Sequence, residues 1–192
     1  MLFRDLSART CLERQIITSM GIDLSTSATG VVLLQASVDK NPVLILEAEL
    51  VSKTPSGAAR NRDLARQVMT LVLDNEPDKI VIEGYSLNLK NAASVVPLIE
   101  LGGVVRLMLH LDELKWYDPT ASELKKFCTG KGNSQKNVVM MNVLKRWGHE
   151  SKTDNTADAY VCAALGLATS NQLPGITQEM RAVAGKLALK CN

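Results

Sequence analysis

Apolar and polar positions change period along the chain, and each change marks an element. Ile16-Ile17-Thr18-Ser19-Met20-Gly21-Ile22 is a short apolar run that ends on a polar stretch, Asp23-Leu24-Ser25-Thr26-Ser27. A second run, Gly30-Val31-Val32-Leu33-Leu34-Gln35, follows the turn, and after Asn41-Pro42 a third covers Val43 to Val51. Three such runs joined by short turn-forming connections predict an antiparallel meander. The spacing then becomes helical, with Leu64, Val68, Leu71 and Val72 between Ala58 and Asp74. Pro77-Asp78 punctuates, and Lys79-Ile80-Val81-Ile82-Glu83 is a short buried strand. Ala92 to Leu111 is a strongly apolar helix, and Lys115-Trp116-Tyr117-Asp118, closed by Pro119, is a fifth strand. Thr120 caps a short helix holding Leu124 and Phe127, with Glu123 placed for a reciprocal capping box. A glycine-rich loop, Thr129 to Asn133, leads to a helix from Ser134 to Trp147. A long helix starts near Asp154 and passes Leu167, and Ile176 to Leu189 is helical again after Pro174-Gly175.

This order predicts an α/β fold, a mixed five-stranded sheet flanked by helices. Residues 1–15 are polar and without period. They read as an N-terminal extension, either a disordered arm or a lead-in to a start at Met20, which leaves 16–192 as a single domain. At 192 residues the chain is long enough to bury a real core, and its 46% hydrophobic and 22% charged content is that of a globular protein. Only 4% is aromatic, so that core must rest on aliphatic side chains.

A net charge of +2 is too small to imply a nucleic-acid partner, but the charge is unevenly spread. Lys115 to Lys152 holds eight Lys/Arg against three Asp/Glu, and Lys53 to Arg66 holds four against one. Segments like these attract phosphate if they flank a groove, and are otherwise solvated faces. Four cysteines without a CxxC pair, and two histidines, leave no zinc pattern. With no secretory signal and no disulfide framework, a reducing cytoplasm is the expected compartment. No apolar run reaches the ~20 residues of a membrane span.

Acidic residues stand where apolar elements should exclude them. Asp23 closes the first strand and Glu83 the fourth. Asp154 and Asp158 open the last long helix, four apart and so on one face. Carboxylates at the C-terminal ends of strands sit where open α/β sheets carry their sites. Hard dications such as Mg²⁺ take oxygen ligands, and two-metal phosphodiesterases need several carboxylates from distant parts of the chain. Each acid also has a plainer explanation: Asp23 as a turn former, Glu83 as a strand end, Asp154 as a helix cap. Asp158 is the hardest to explain so, because its helix is otherwise apolar and a buried acid needs a partner.

Four stretches resemble the RuvC family of Holliday-junction resolvases, particularly its phage-encoded branch: Met20-Gly-Ile-Asp-Leu-Ser-Thr-Ser-Ala-Thr-Gly30, Ile82-Glu83, Phe127-Cys-Thr-Gly-Lys-Gly-Asn-Ser-Gln-Lys136 and Asp154-Asn-Thr-Ala-Asp-Ala159. The resemblance spans roughly 16–170. It implies a ribonuclease H-like fold, a homodimer, two Mg²⁺ (or Mn²⁺) ions per site, and paired nicks across a four-way DNA junction. It makes Asp23, Glu83 and Asp158 metal ligands. The family's further ligand falls at Asn155 here, with Asp154 beside it; Asp154 is the better candidate because a second negative charge helps hold two dications. Lys131, in a catalytic role, and Lys136 match the family's basic loop and following helix and would contact phosphate. Tyr85, in Gly84-Tyr-Ser-Leu-Asn-Leu-Lys-Asn91, would stack on an unpaired base, with Lys90 nearby on the DNA; a core tyrosine and incidental surface lysines are the alternatives.

The apolar helix Ala92 to Leu111 is either a subunit interface or a central core helix, since its apolar residues cannot all face one sheet. Sugar-kinase and actin-like ATPases share the Gly21-Ile-Asp opening but need far more chain. A ribonuclease H-like nuclease acting on RNA or RNA–DNA hybrid, and a non-catalytic DNA-binding module, are the remaining rivals.

Overall fold

A computed structural model describes residues 16–37, 41–85 and 92–191, with residues 92–94 as backbone alone. The N-terminal extension and Lys90 lie outside the described residues. The elements are β1 (Thr18–Asp23), β2 (Thr29–Gln35), β3 (Val43–Leu50), α1 (Gly57–Asn75), β4 (Lys79–Ile82), α2 (Ala92–Leu111), α3 (Ala121–Thr129), α4 (Lys136–Trp147), α5 (Asp154–Thr169) and α6 (Gln178–Ala188).

The sheet runs in the order β3-β2-β1-β4. β2 is antiparallel to both β1 and β3, and β4 is parallel to β1. Successive side chains on a strand point to opposite faces, and here both faces are covered. Val31 and Leu33 join Met20, Ile22, Ile80 and Ile82 under α1 and α2. Val32 and Leu34 join Val81 under α3 to α6. Two-sided burial is why β1, β2 and β4 read as continuous apolar runs.

The expected fifth strand is reduced to one residue. Tyr117 alone bridges to Val81, its N–H donating to the Ile80 carbonyl (2.9 Å) and its carbonyl accepting from Ile82 (3.0 Å). Proline has no N–H to extend that ladder at Pro119. Asp118 instead turns its carboxylate to Arg106 and to the Trp116 indole N–H (2.9 Å). The sheet therefore has four strands, and the mixed α/β class stands.

α5 lies across β1 and β2, buried along most of its length by small residues such as Ala157, Ala159, Ala163 and Ala164. The approach is close enough that a Cβ on Gly21 would overlap the Ala159 carbonyl oxygen, and one on Gly30 the Asn155 carbonyl. β3 locates the start of α5. Glu49 accepts from the Thr153 hydroxyl (2.9 Å), and Glu47 accepts from the Lys152 N–H (3.2 Å) and faces His149, whose ring stacks on Tyr160. The capping box expected at Thr120 and Glu123 is formed. α2 buries Leu101, Val105 and Leu109 against α1 and the sheet, leaving Val96, Ile99, Leu107 and Leu111 exposed. Among the described residues no helix is long and apolar enough to cross a membrane.

Candidate active site

The parallel pairing of β1 with β4 ends both strands at one edge of the sheet. Ile22 pairs with Ile82, and the Glu83 N–H donates to the Ile22 carbonyl (3.1 Å), so Asp23 and Glu83 emerge side by side. They line a cavity of about 80 Å³ with Leu24, Gly84, Tyr85 and Leu98. Asp158 is carried by α5, whose approach the glycines permit, and lies near enough for its charge to act on both Asp23 and Glu83.

The acids behave as one electrostatic unit. Burial, and then repulsion from Glu83 and Asp158, holds the Asp23 carboxyl well above the usual range. Burial, and then Asp158, pushes Glu83 up to about 7. Burial also raises Asp158, with Lys136 and Lys125 opposing. Asp154 is the exception. It sits at the half-exposed rim in an ion pair with Lys136, which lowers its pKa. Its neighbour Asn155 is committed elsewhere, donating to the Ala28 carbonyl (2.8 Å) and to Glu49 (3.3 Å), and so ties the β1–β2 turn to α5. Among the described residues no side chain donates a hydrogen bond to Asp23, Glu83 or Asp158. Nor do any three acidic, His or Cys residues stand in ready-made metal-ligating geometry. The carboxylates repel one another, and Lys136 and Lys125 offset that repulsion only in part.

The structure thus brings Asp23, Glu83, Asp158 and Asp154 together with Lys136. Lys131 lies exposed on the α3–α4 loop, and its charge is not among those acting on the acids. Lys125, on α3, takes that place for Glu83 and Asp158 and was not singled out in the sequence. Its place beside Leu124 puts it at the edge of the buried face of a capped helix, and only the rotation of α3 turns that edge toward the acids. Tyr85 is neither a core residue nor a freely projecting wedge. It is 38% exposed, its hydroxyl donates to the Ile99 carbonyl (3.3 Å), and the Arg106 guanidinium lies 4.5 Å from its ring centre. Arg106 also donates to the Glu83 carbonyl (3.3 Å) and to Asp118, tying the β4 end to α2.

The sequence profile described as crossover junction endodeoxyribonuclease RuvC matches residues 19–166, which holds every acid of the pocket. A protein named crossover junction endodeoxyribonuclease RuvC from Brachyspira hyodysenteriae is 27% identical over 158 residues, covering 81% of this chain and 96% of that protein. Among solved structures, T. thermophilus RuvC in complex with Holliday junction substrate superposes with a TM-score of 0.68 at 15% identity, covering 82% of this chain and 98% of that one. The yeast mitochondrial Holliday junction resolvase superposes at 0.57 with 14% identity, covering 88% and 81%. The profile spans most of the chain, so this protein belongs to the RuvC family of crossover junction endodeoxyribonucleases.

Proposed function

We propose that this protein is a structure-selective DNA endonuclease that resolves four-way junctions by metal-dependent phosphodiester hydrolysis, two copies of the chain nicking opposed strands. The observation that carries this reading is that Asp23 and Glu83, from the adjoining ends of β1 and β4, line one cavity within electrostatic reach of Asp158 on α5. A pure DNA binder gains nothing from buried carboxylates facing phosphate.

The donor set fits hard dications. It consists of carboxylate oxygens, which Mg²⁺ and Mn²⁺ prefer, and among the described residues no side chain donates a hydrogen bond to its buried members. Asp23, Glu83 and Asp158 would hold two ions, with Asp154 at the rim. The chemistry such ions supply when bound is polarisation of the scissile phosphate and activation of water. The chain does the rest. Burial keeps bulk water away from the reacting phosphate, and Lys125 and Lys136 offset the charge that phosphate brings into an acidic pocket. Lys136 has Asp154 as its resting partner and exchanges it for phosphate. Lys131, on its exposed loop, reaches a neighbouring phosphate as a point charge. Tyr85, pinned through its hydroxyl and with one face open, offers a surface for an unstacked base, with Lys90 on the adjoining segment. The exposed apolar side of α2 joins two copies, and the enzyme works in the cytoplasm, where its free buried cysteines Cys128 and Cys162 stay reduced.

The test is a cleavage assay with Mg²⁺ on a four-way junction beside linear duplex, a flap and an RNA–DNA hybrid. The junction should be cut in preference, at paired positions on opposed strands. Asp23→Asn and Glu83→Gln should abolish cutting yet keep or tighten junction binding, because less negative charge then faces the DNA. Preferred cutting of the hybrid, or loss of binding together with cutting, would refute the assignment.

A further inference from the structure

A second charged feature lies at the same end of the sheet as the acidic pocket. After Leu50 the chain leaves β3, crosses Val51 to Thr54 and turns into α1. Between that segment and the outward face of the helix is an open cleft of about 470 Å³, lined by Val51, Lys53, Thr54, Arg62, Asp63, Arg66 and Gln67. The face is set by helical spacing. Asn61, Leu64, Ala65 and Val68 are buried, which turns Arg62 and Arg66, four apart, away from the core and toward Lys53. The cleft is a built feature: the Gln67 amide donates to the Val51 carbonyl (3.1 Å) and the Thr54 N–H to the Ser52 hydroxyl (3.0 Å), fixing the segment against α1. Three cations share the space with one carboxylate. Among the described residues none of the three makes a salt bridge. Like charges held four apart on a helix are mildly destabilising, and an anion between them removes that cost.

We propose that this cleft holds backbone phosphate of the substrate DNA, outside the acidic pocket and on the same strand or arm. The proposal rests on the nuclease reading. Its geometry follows from the sheet. Leu50 pairs with Thr29, and Gly30 pairs with Asp23, so the ends of β3 and β1 are two strand spacings apart, roughly 10 Å. That is about three nucleotides of rise along one strand. The end of β1 that carries Asp23 and the segment that leads from β3 to Lys53 are thus on one edge of the sheet, near enough for one strand or arm of bound DNA to reach both. Arginine's planar fork suits phosphate oxygens, and such contacts set position and affinity without reading sequence.

The test uses the full chain carrying Asp23→Asn with Mg²⁺ present, so that binding is measured without cutting. Junction affinity is read by fluorescence anisotropy between 50 and 200 mM salt, with and without Lys53→Gln, Arg62→Gln and Arg66→Gln together. Each phosphate contact contributes about 0.9 to the slope of log affinity against log salt. The triple change should lower that slope by about 2 to 3 and weaken binding about ten- to one hundredfold at 0.1 M salt. Arg62→Lys with Arg66→Lys, which keeps the charges, should retain most of the slope and guards against misfolding as the cause. An unchanged slope and affinity in a folded triple variant would overturn the proposal. So would protection by millimolar inorganic phosphate of the parent's thermal stability alone with no change in the DNA slope, which marks a small-anion site. If the Asp23→Asn parent itself fails to bind the junction, it is the nuclease reading that falls.

Discussion

Glu83 holds a proton at a pH where an ordinary glutamate has lost it. Burial and Asp158 raise it from 4.5 to about 7. Between those values the folded chain binds a proton that the unfolded chain releases, so without metal stability falls as pH rises from about 4.5 to 7. The shift corresponds to about 3 kcal/mol at most at pH 8. In chelator, thermal melts should show the midpoint dropping across that window. Glu83→Gln should flatten the drop and raise the midpoint at pH 8 by about 5 °C. Mg²⁺ should stabilise the natural chain at pH 8 and the variant less. Identical pH profiles for the two would remove Glu83 from the charged pocket. At this scale the acids were visible in the sequence, because a carboxylate closing an apolar strand or set in an alanine-rich helix is costly unless it is used. Lys125 was not, because whether it faces the acids depends on how α3 is rotated.

Among the elements, α5 decides whether the pocket exists. It brings Asp158 to β1 only because Gly21 and Gly30 leave room for its backbone. Gly21→Ala drives a methyl group into the Ala159 carbonyl, and overlap with backbone cannot be relieved by a rotamer change. It should cost about 3 kcal/mol or more and abolish cutting, seen as a lowered unfolding midpoint in denaturant. Gly185→Ala is the matching control. That glycine lies in α6, exposed and with open space around a new Cβ, so alanine should stabilise by about 0.5–1 kcal/mol. A Gly21 variant as stable as the natural chain would show that α5 is not seated on β1 as described. The helices, β1 to β4 and the Thr120–Glu123 capping box were legible from period and spacing. The fifth strand was not. Its apolar aromatic pattern is strand-like, but Trp116 and Asp118 serve the Arg106 network, and only Tyr117 remains to pair.

For the whole molecule, the exposed side of α2 is the feature that bears on assembly. Val96, Ile99, Gly103, Leu107 and Leu111 recur at steps of three and four residues, so they form one stripe on the face away from Leu101, Val105 and Leu109. Gly103 would let a second helix approach closely, since a Cβ there meets nothing. A two-fold pair joined through this stripe suits a substrate with two symmetric scissile strands. Leu107→Glu should therefore convert a dimer to a monomer in sedimentation velocity, and opposed nicks should become uncorrelated. An unchanged mass would move the interface elsewhere. What was already written in the linear chain is what local chemistry and period can encode: the order of elements, the two-sided burial of the central strands, and the acids at strand ends and on the last long helix. What only the folded chain decided depends on distances through space. Asn155 is drawn to Ala28 and Glu49, while Asp154 pairs with Lys136 at the rim, partners that lie far apart in the chain. Lys125 and Lys136 rather than Lys131 balance the carboxylates, because helix rotation and loop direction place their charges. Spacing along a chain sets which side of an element a residue occupies, while the angle and depth at which elements pack set what that side meets.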